Sequence, residues 1–340
     1  MRRRSTRVLV IRISALGDLA LCEPIVRLLK NGWSQVDILT DERYAKWAGK
    51  ALGVDRAWGY ARHGADGGWM GLMAVARRIR KEGYDLVVDL QGKLRTRLLA
   101  ALLRVPMVLT WRRRRGFRLL AALFGVDRPD HSIHQTESYR RALMPLELSS
   151  VLTPMRLRDA PCRPNVPTEG LRVGLCVGGA HATKRWPVDR FVTVVRQLAV
   201  AVPYVEFLAV GGREDRQRID ALHSGVPEVR WCASTVDFGL PEMARAVARL
   251  DLLISNDTGP AHLASGYGVP VVVIFGPTSW VRWAPQTKAS RIIRHAVECA
   301  PCSNFGGARC PRSDGAWTCM RDLAPAQVTA AARVLLSEKS

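Results

Sequence analysis

Leu252-Leu253-Ile254-Ser255-Asn256-Asp257-Thr258-Gly259-Pro260-Ala261-His262 is the stretch on which the fold turns. Its apolar opening reads as a buried strand that ends at Asn256-Asp257, and a helix starts at Pro260. Proline fits the first helical turn because no intrahelical amide bond is lost there. Strand, tight turn and helix in this order are the unit of an α/β fold. The free amides and the dipole at such a helix start suit a phosphate group. Thr258 adds a hydroxyl, Gly259 lets a ligand approach the backbone, and His262, one turn in, has a donor for a phosphate oxygen. The same residues also read as an ordinary helix cap, with Asp257 and Thr258 accepting from first-turn amides. The segment alone leaves both readings open.

Outward from it the alternation continues. Strands are expected at 172–177, 205–210, 229–231, 252–255 and 271–275, and helices at 187–201, 213–222, 241–250, 260–267 and 325–336. The first half repeats the pattern with strands at 8–13, 36–40, 85–90 and 105–109 and helices at 19–30, 69–80 and 96–103. Strands such as Asp85-Leu86-Val87-Val88-Asp89-Leu90 are apolar almost throughout, as in a parallel sheet covered on both faces. Between them Pro154, Pro161, Pro164 and Pro167 mark a linker at about 148–170. The reading is two α/β domains, 1–160 and 170–322, with a C-terminal helix in 323–340 that is expected to reach back toward the first domain. Two such domains imply a cleft, with ligands at the carboxyl ends of the strands.

The chain has 340 residues and a net charge of +21. The first 160 residues hold 30 basic and 15 acidic side chains, densest at Arg2-Arg3-Arg4 and at Arg112-Arg113-Arg114-Arg115 with Arg118. Such an excess suits an anionic partner: a membrane surface, a phosphorylated glycolipid or nucleic acid. The arginines come with no recognition helix and no interleaved aromatics, which argues against nucleic acid. The basic start has no apolar run of signal-peptide length, since Arg12 breaks it. Residues 258–281 carry no charge, but Pro260, Pro270, Pro277 and four glycines punctuate them as helix, turn and strand. A cytoplasmic protein that meets the inner membrane only peripherally is expected.

Two more strand-to-helix loops carry chemistry. Gly178-Gly179-Ala180-His181-Ala182-Thr183-Lys184-Arg185-Trp186-Pro187 brings cations to a second helix start, suited either to a solvated basic loop or to a diphosphate, with Lys184 as a point charge and Thr183 as a hydroxyl donor. Ser14-Ala15-Leu16-Gly17-Asp18 carries a carboxylate instead, suited either to a general base or to capping the helix that follows.

These loops, with Asp89-Leu90-Gln91-Gly92 and Phe275-Gly276-Pro277-Thr278, resemble the ordered landmarks of the bacterial ADP-heptose:lipopolysaccharide heptosyltransferases, glycosyltransferase family 9. The resemblance runs from about residue 7 to 336. It implies an α/β fold of GT-B type, two Rossmann-like domains whose parallel sheets face across a cleft, acceptor site in the first and donor site in the second. It implies inverting transfer of heptose from ADP-heptose to a sugar hydroxyl of the lipopolysaccharide inner core, with no metal in the chemical step. By motif match Asp18 becomes the base; Thr183, Lys184, Thr258, Gly259 and His262 hold the diphosphate; Asp257 sits beside the donor. Glu214 is the nearest match to an acid that contacts the adenosine ribose, with Asp215 competing. Another nucleotide sugar, or a protein acceptor, is the alternative within the same fold.

Cys299-x2-Cys302-x7-Cys310-x8-Cys319 resembles a four-thiolate site for structural zinc or iron. Its second pair is spaced too widely for a standard knuckle, so free or redox-active thiols stand beside the metal reading.

Overall fold

The computed structural model describes residues 6–111, 132–148, 151–159, 170–312 and 314–338. Arg2 to Arg4, the arginines at 112–115 and 118, and the prolines at 161, 164 and 167 lie outside the described residues. The chain forms two compact units, residues 1–124 with 135–159, and residues 125–134 with 160–340.

The first unit is built on a five-stranded parallel sheet in the order β3-β2-β1-β4-β5. The strands are β1 (Arg7–Ile11), β2 (Gln35–Asp41), β3 (Arg56–Tyr60), β4 (Leu86–Asp89) and β5 (Met107–Thr110). Val8, Leu9, Val10 and Ile11 are all buried, which explains an unbroken apolar run in place of alternation. The second unit has six parallel strands in the order β11-β10-β9-β6-β7-β8. They are β6 (Arg172–Cys176), β7 (Glu206–Ala209), β8 (Trp231–Ser234), β9 (Leu252–Asn256), β10 (Val271–Phe275) and β11 (Ser290–Arg294). Both sheets are doubly wound. The chain order reverses between β1 and β4 in one and between β6 and β9 in the other, and a crevice opens at such a switch point.

The elements depart from the sequence reading in a few places. The helix expected at 19–30 is two, Leu16–Ala20 and Glu23–Lys30, because Pro24 has no amide to continue the first. The helix expected from 213 begins as a 3-10 turn, Arg213–Asp215, and becomes α-helical at Arg216–Gly225. Helix Glu42–Ala51, β3 and the edge strand β11 were not expected; Arg56 and Gly59 in β3, and Arg291 and Arg294 in β11, leave neither strand a long apolar run. The C-terminal helix, Pro325–Ser337, packs on helix Val188–Ala201 and on β9 and β10. Its Val328, Ala332, Leu335 and Leu336 join Phe191, Val195 and Phe207 in one core. Within the second unit this packing gives these apolar side chains a face to bury.

Candidate functional site

In the first unit the loops after β1 and β4 flank the switch point, and the second holds the first. Asp89 is fully buried and accepts from the amides of Gln91 and Gly92 at 3.0 Å and from the Thr96 hydroxyl at 2.9 Å. This turns Gln91 inward, where its Oε1 accepts from the amides of Ile13 and Ser14 at 3.1 and 3.2 Å. Asp18 then sits in the first turn of helix Leu16–Ala20, and the capping contact to the Ala15 amide is long, at 3.5 Å. Its shorter contacts are with side chains. Arg12 Nη2 lies 2.8 Å from one carboxylate oxygen, and the Tyr139 hydroxyl donates to the other at 3.1 Å.

Arg12 is itself fixed, since its Nη1 donates to the Leu90 carbonyl at 2.7 Å and its guanidinium lies 5.6 Å from the Tyr139 ring centre. Tyr139 packs edge-on against Trp111, with ring centres 5.5 Å apart. Burial, against the pull of Arg12, holds the Tyr139 hydroxyl well above its usual range, so it stays a donor. Burial also pushes the neighbouring Cys22 thiol up to about 12. Sequence reasoning quoted Arg12 only as a break in an apolar run and missed Tyr139, which lies 121 residues away along the chain. The arginine six residues before Asp18, at the end of a buried strand, was the available signal.

In the second unit the loops after β6 and β9 flank the other switch point. Asn256, fully buried at the end of β9, joins them. Its Nδ2 donates to the carbonyls of Val177 and Gly178 at 3.1 and 2.8 Å, and its Oδ1 accepts from the Trp186 amide at 3.0 Å. One amide therefore grips both ends of the loop that carries Lys184. Lys184 Nζ lies 2.8 Å from Asp257 Oδ2, and the Thr278 hydroxyl donates to that same oxygen at 2.7 Å.

The helix is Gly259–Gly266, with Thr258 as its N-cap residue and Pro260 near its start. The Thr258 side chain makes no capping bond; its hydroxyl lies 3.0 Å from that of Ser255. Thr258 thus makes no side-chain cap at this helix start, while Asp257 pairs with Lys184 and accepts from Thr278. His262 is buried at this helix, near His134, whose ring burial pushes down to about 4. His134 Nε2 donates to the Ala284 carbonyl at 3.0 Å.

The other expected residues divide. Thr183 is buried, and its hydroxyl already donates to the Gly307 carbonyl at 3.0 Å and accepts from the Gly307 amide at 2.8 Å. Of the two competing acids, Asp215 is buried under the Gly178 loop and accepts from the Gly212 amide at 3.3 Å. A Cβ at Gly178 would collide with the Asp215 carboxylate, so that position needs glycine. Glu214 is exposed.

Cys299, Cys302, Cys310 and Cys319 line one cavity of about 220 Å³, together with Thr183, Gly307 and Trp317. Among the described residues no His, Cys, Asp or Glu side chains form a group of three or more able to hold a metal ion. The four thiols therefore share a cavity without forming the preassembled site that their spacing suggests. Burial, with the other thiols adding to it, pushes Cys319 up to about 12.

Comparison with known proteins bears on this arrangement. Residues 72–307 match the family described as glycosyltransferase family 9 (heptosyltransferase). The chain is 29% identical over 173 residues to lipooligosaccharide heptosyltransferase 2 of Campylobacter jejuni, covering 49% of this chain and 50% of that protein. It thus spans about half the length of that relative. Its fold is similar to that of the glycosyl transferase family 9 protein of Veillonella parvula, with a TM-score of 0.80, 22% identity and 99% of each chain covered. It is also similar to the Escherichia coli heptosyltransferase WaaC solved with ADP-2-deoxy-2-fluoro heptose, with a TM-score of 0.65, 20% identity and 98% and 100% of the two chains covered. The fold is α/β, of the GT-B type. On the family match, which covers most of its length, the chain belongs to glycosyltransferase family 9, the heptosyltransferases.

Proposed function

We propose that the chain transfers heptose from ADP-heptose, with inversion, to a sugar hydroxyl of the lipopolysaccharide inner core. The observation that carries this reading is the meeting of Lys184, through Asp257, with the uncapped start of helix Gly259–Gly266 at one switch point. In the reaction the acceptor oxygen bonds to the anomeric carbon, and the bond from that carbon to the diphosphate breaks. ADP leaves with the electron pair. Lys184 and the helix amides offset the charge that builds on it, the work other transferases give to a divalent ion. Asp18 takes the proton of the attacking hydroxyl, held for this by Arg12 and Tyr139. Glu214, exposed beyond β7, takes the ribose. His262 contributes at the diphosphate.

The donor assignment is tested by thermal melting. ADP-heptose raises the melting temperature, and does so in EDTA. A clear shift with UDP-sugars and none with ADP-sugars overturns it.

The finer reading of partner and place is an anionic glycolipid acceptor met at the cytoplasmic face of the inner membrane. Among the described residues no helix is long and apolar enough to cross a membrane. Exposed Trp69, Met70, Leu94 and Leu98, with exposed Arg95 and Arg97, support peripheral contact by the first unit. Sedimentation with anionic but not neutral vesicles is the expected result. A structural zinc or iron ion at the four cysteines rests on their common cavity. Metal analysis of the purified protein decides it: one ion per chain supports the site, and none removes it.

A further inference from the structure

The Lys184 loop is not held by Asn256 alone. The turn at residues 303–307 closes on Ser303, whose hydroxyl accepts from the amides of Phe305 and Gly306 at 3.3 and 2.9 Å. On one side this turn is fastened beside Thr278, because the amides of Cys302 and Ser303 donate to the Pro277 carbonyl at 3.0 and 2.9 Å. On the other it is fastened to Thr183 by the two-way Gly307 contact and by the Thr183 amide, which donates to the Gly307 carbonyl at 3.2 Å. Trp317 closes the arrangement, its indole Nε1 donating to the Thr183 carbonyl at 2.9 Å.

Lys184 and Asp257 thus stand inside a loop of hydrogen bonds. Thr183 is the residue before the cation, and Thr278 is the residue that donates to the carboxylate. The turn also sets the path of the lysine stem. Gly306 has φ +86, and a Cβ there would lie 2.7 Å from Lys184 Cγ and 3.0 Å from His181 Cβ. A residue other than glycine is strained at that φ and displaces the lysine.

We infer that the turn at 303–307, with Thr183 and Trp317, is a positioning element for Lys184. Thr183 acts through Lys184 and does not contact the diphosphate itself. This departs from the family-based role of Thr183 and gives the C-terminal cysteine segment a function whether or not it takes a metal. It rests on the reading of Lys184 as the cation for the diphosphate.

The test is ADP affinity by calorimetry in a double-mutant cycle. Thr183→Val keeps the shape and removes the hydroxyl, Thr183→Ser keeps the hydroxyl, and Trp317→Phe keeps a ring and removes the donor. Thr183→Val and Trp317→Phe are expected to weaken ADP about fivefold to tenfold, as a misplaced charge contact does, and Thr183→Ser to bind as the parent. Placed on Lys184→Gln, the same changes are expected to cost less than twofold. Equal losses with and without Lys184, or no loss in Thr183→Val, overturn the inference. If Lys184→Gln itself leaves ADP affinity unchanged, the diphosphate reading of Lys184 fails, and the positioning role fails with it. If Lys184→Gln weakens ADP and Thr183→Val does not, only the positioning role fails. Near-ultraviolet circular dichroism of each variant separates lost affinity from lost folding.

Discussion

Arg12 Nη2 lies 2.8 Å from Asp18 Oδ2, and the two side chains are only 7% and 12% exposed. A carboxylate so enclosed depends on its cation, since an isolated buried charge is costly. The same cation fixes where the carboxylate points, with Tyr139 holding its other oxygen.

Asp18→Asn keeps the shape and both neighbours but cannot take a proton. Turnover is expected to fall by about 10²–10⁴-fold, the usual worth of a positioned base. ADP affinity is expected to stay within about twofold, because Asp18 belongs to the first unit and the proposed diphosphate contacts to the second. A fall in ADP affinity as large as the fall in turnover would contradict the assignment.

Arg12→Met leaves the Asp18 carboxylate without its partner and the Leu90 carbonyl without a donor. Breaking such a pair from one side costs about 3–5 kcal/mol. Urea unfolding should show this loss, and a smaller loss in the double variant Arg12→Met with Asp18→Asn, where no charge is stranded. Additive losses would show that the two residues act independently.

Asn256 uses both donors' worth of its amide and its carbonyl on one loop. Asn256→Ala is expected to cost about 3 kcal/mol, from three buried partners left unpaired. Asn256→Asp keeps the acceptor for Trp186 but turns a second oxygen toward the carbonyls of Val177 and Gly178. The folded state then favours the protonated acid, so this variant is expected to lose stability as the pH rises from 4 to 8, relative to the parent. Paired denaturation curves at the two pH values check the sign.

The fold was legible because it is written in apolar continuity. Runs such as Val271-Val272-Val273-Ile274-Phe275 admit little but a strand covered on both faces, and Pro260 marks where a helix starts. Lys184, Asp257 and Asp18 could be named as candidates because they stand in glycine-bearing loops that follow strands. Tyr139, Thr278 and Gly307 were not readable as partners. Each meets its partner across at least 21 residues of chain, in positions that only the sheet order brings together. The cysteines were legible as a group from their spacing, and Cys299, Cys302, Cys310 and Cys319 do line one cavity.

His134 gives the second unit an acid-sensitive point. Burial, with His262 and Arg282 also disfavouring a second positive charge, pushes it from 6.5 to about 4, while the Ala284 carbonyl opposes the shift. Between these values the unfolded chain binds a proton that the folded chain refuses, so stability falls as the pH drops from about 6.5 to about 4. The full effect is about 3 kcal/mol. His134→Gln should flatten this part of the stability curve. An unchanged slope in the variant would assign the acid sensitivity elsewhere.

Lys184 and Asp257 set a competition at the proposed donor site. Before a diphosphate arrives, the lysine is already neutralised at 2.8 Å, so an anion must share it with the carboxylate. Asp257→Asn keeps the size and leaves an oxygen for Thr278, but it removes the competing charge. ADP is expected to bind about fivefold more tightly to this variant, as one partly buried ion pair of about 1 kcal/mol is no longer given up. Turnover moves the other way if Asp257 meets the sugar, because the variant then lacks a charged contact to the transferred group. Tighter ADP with slower turnover is therefore the expected split, measured by calorimetry and steady-state kinetics. Weaker ADP binding in Asp257→Asn would mean that the carboxylate chiefly aims the lysine, since loss of aim then outweighs relief from competition.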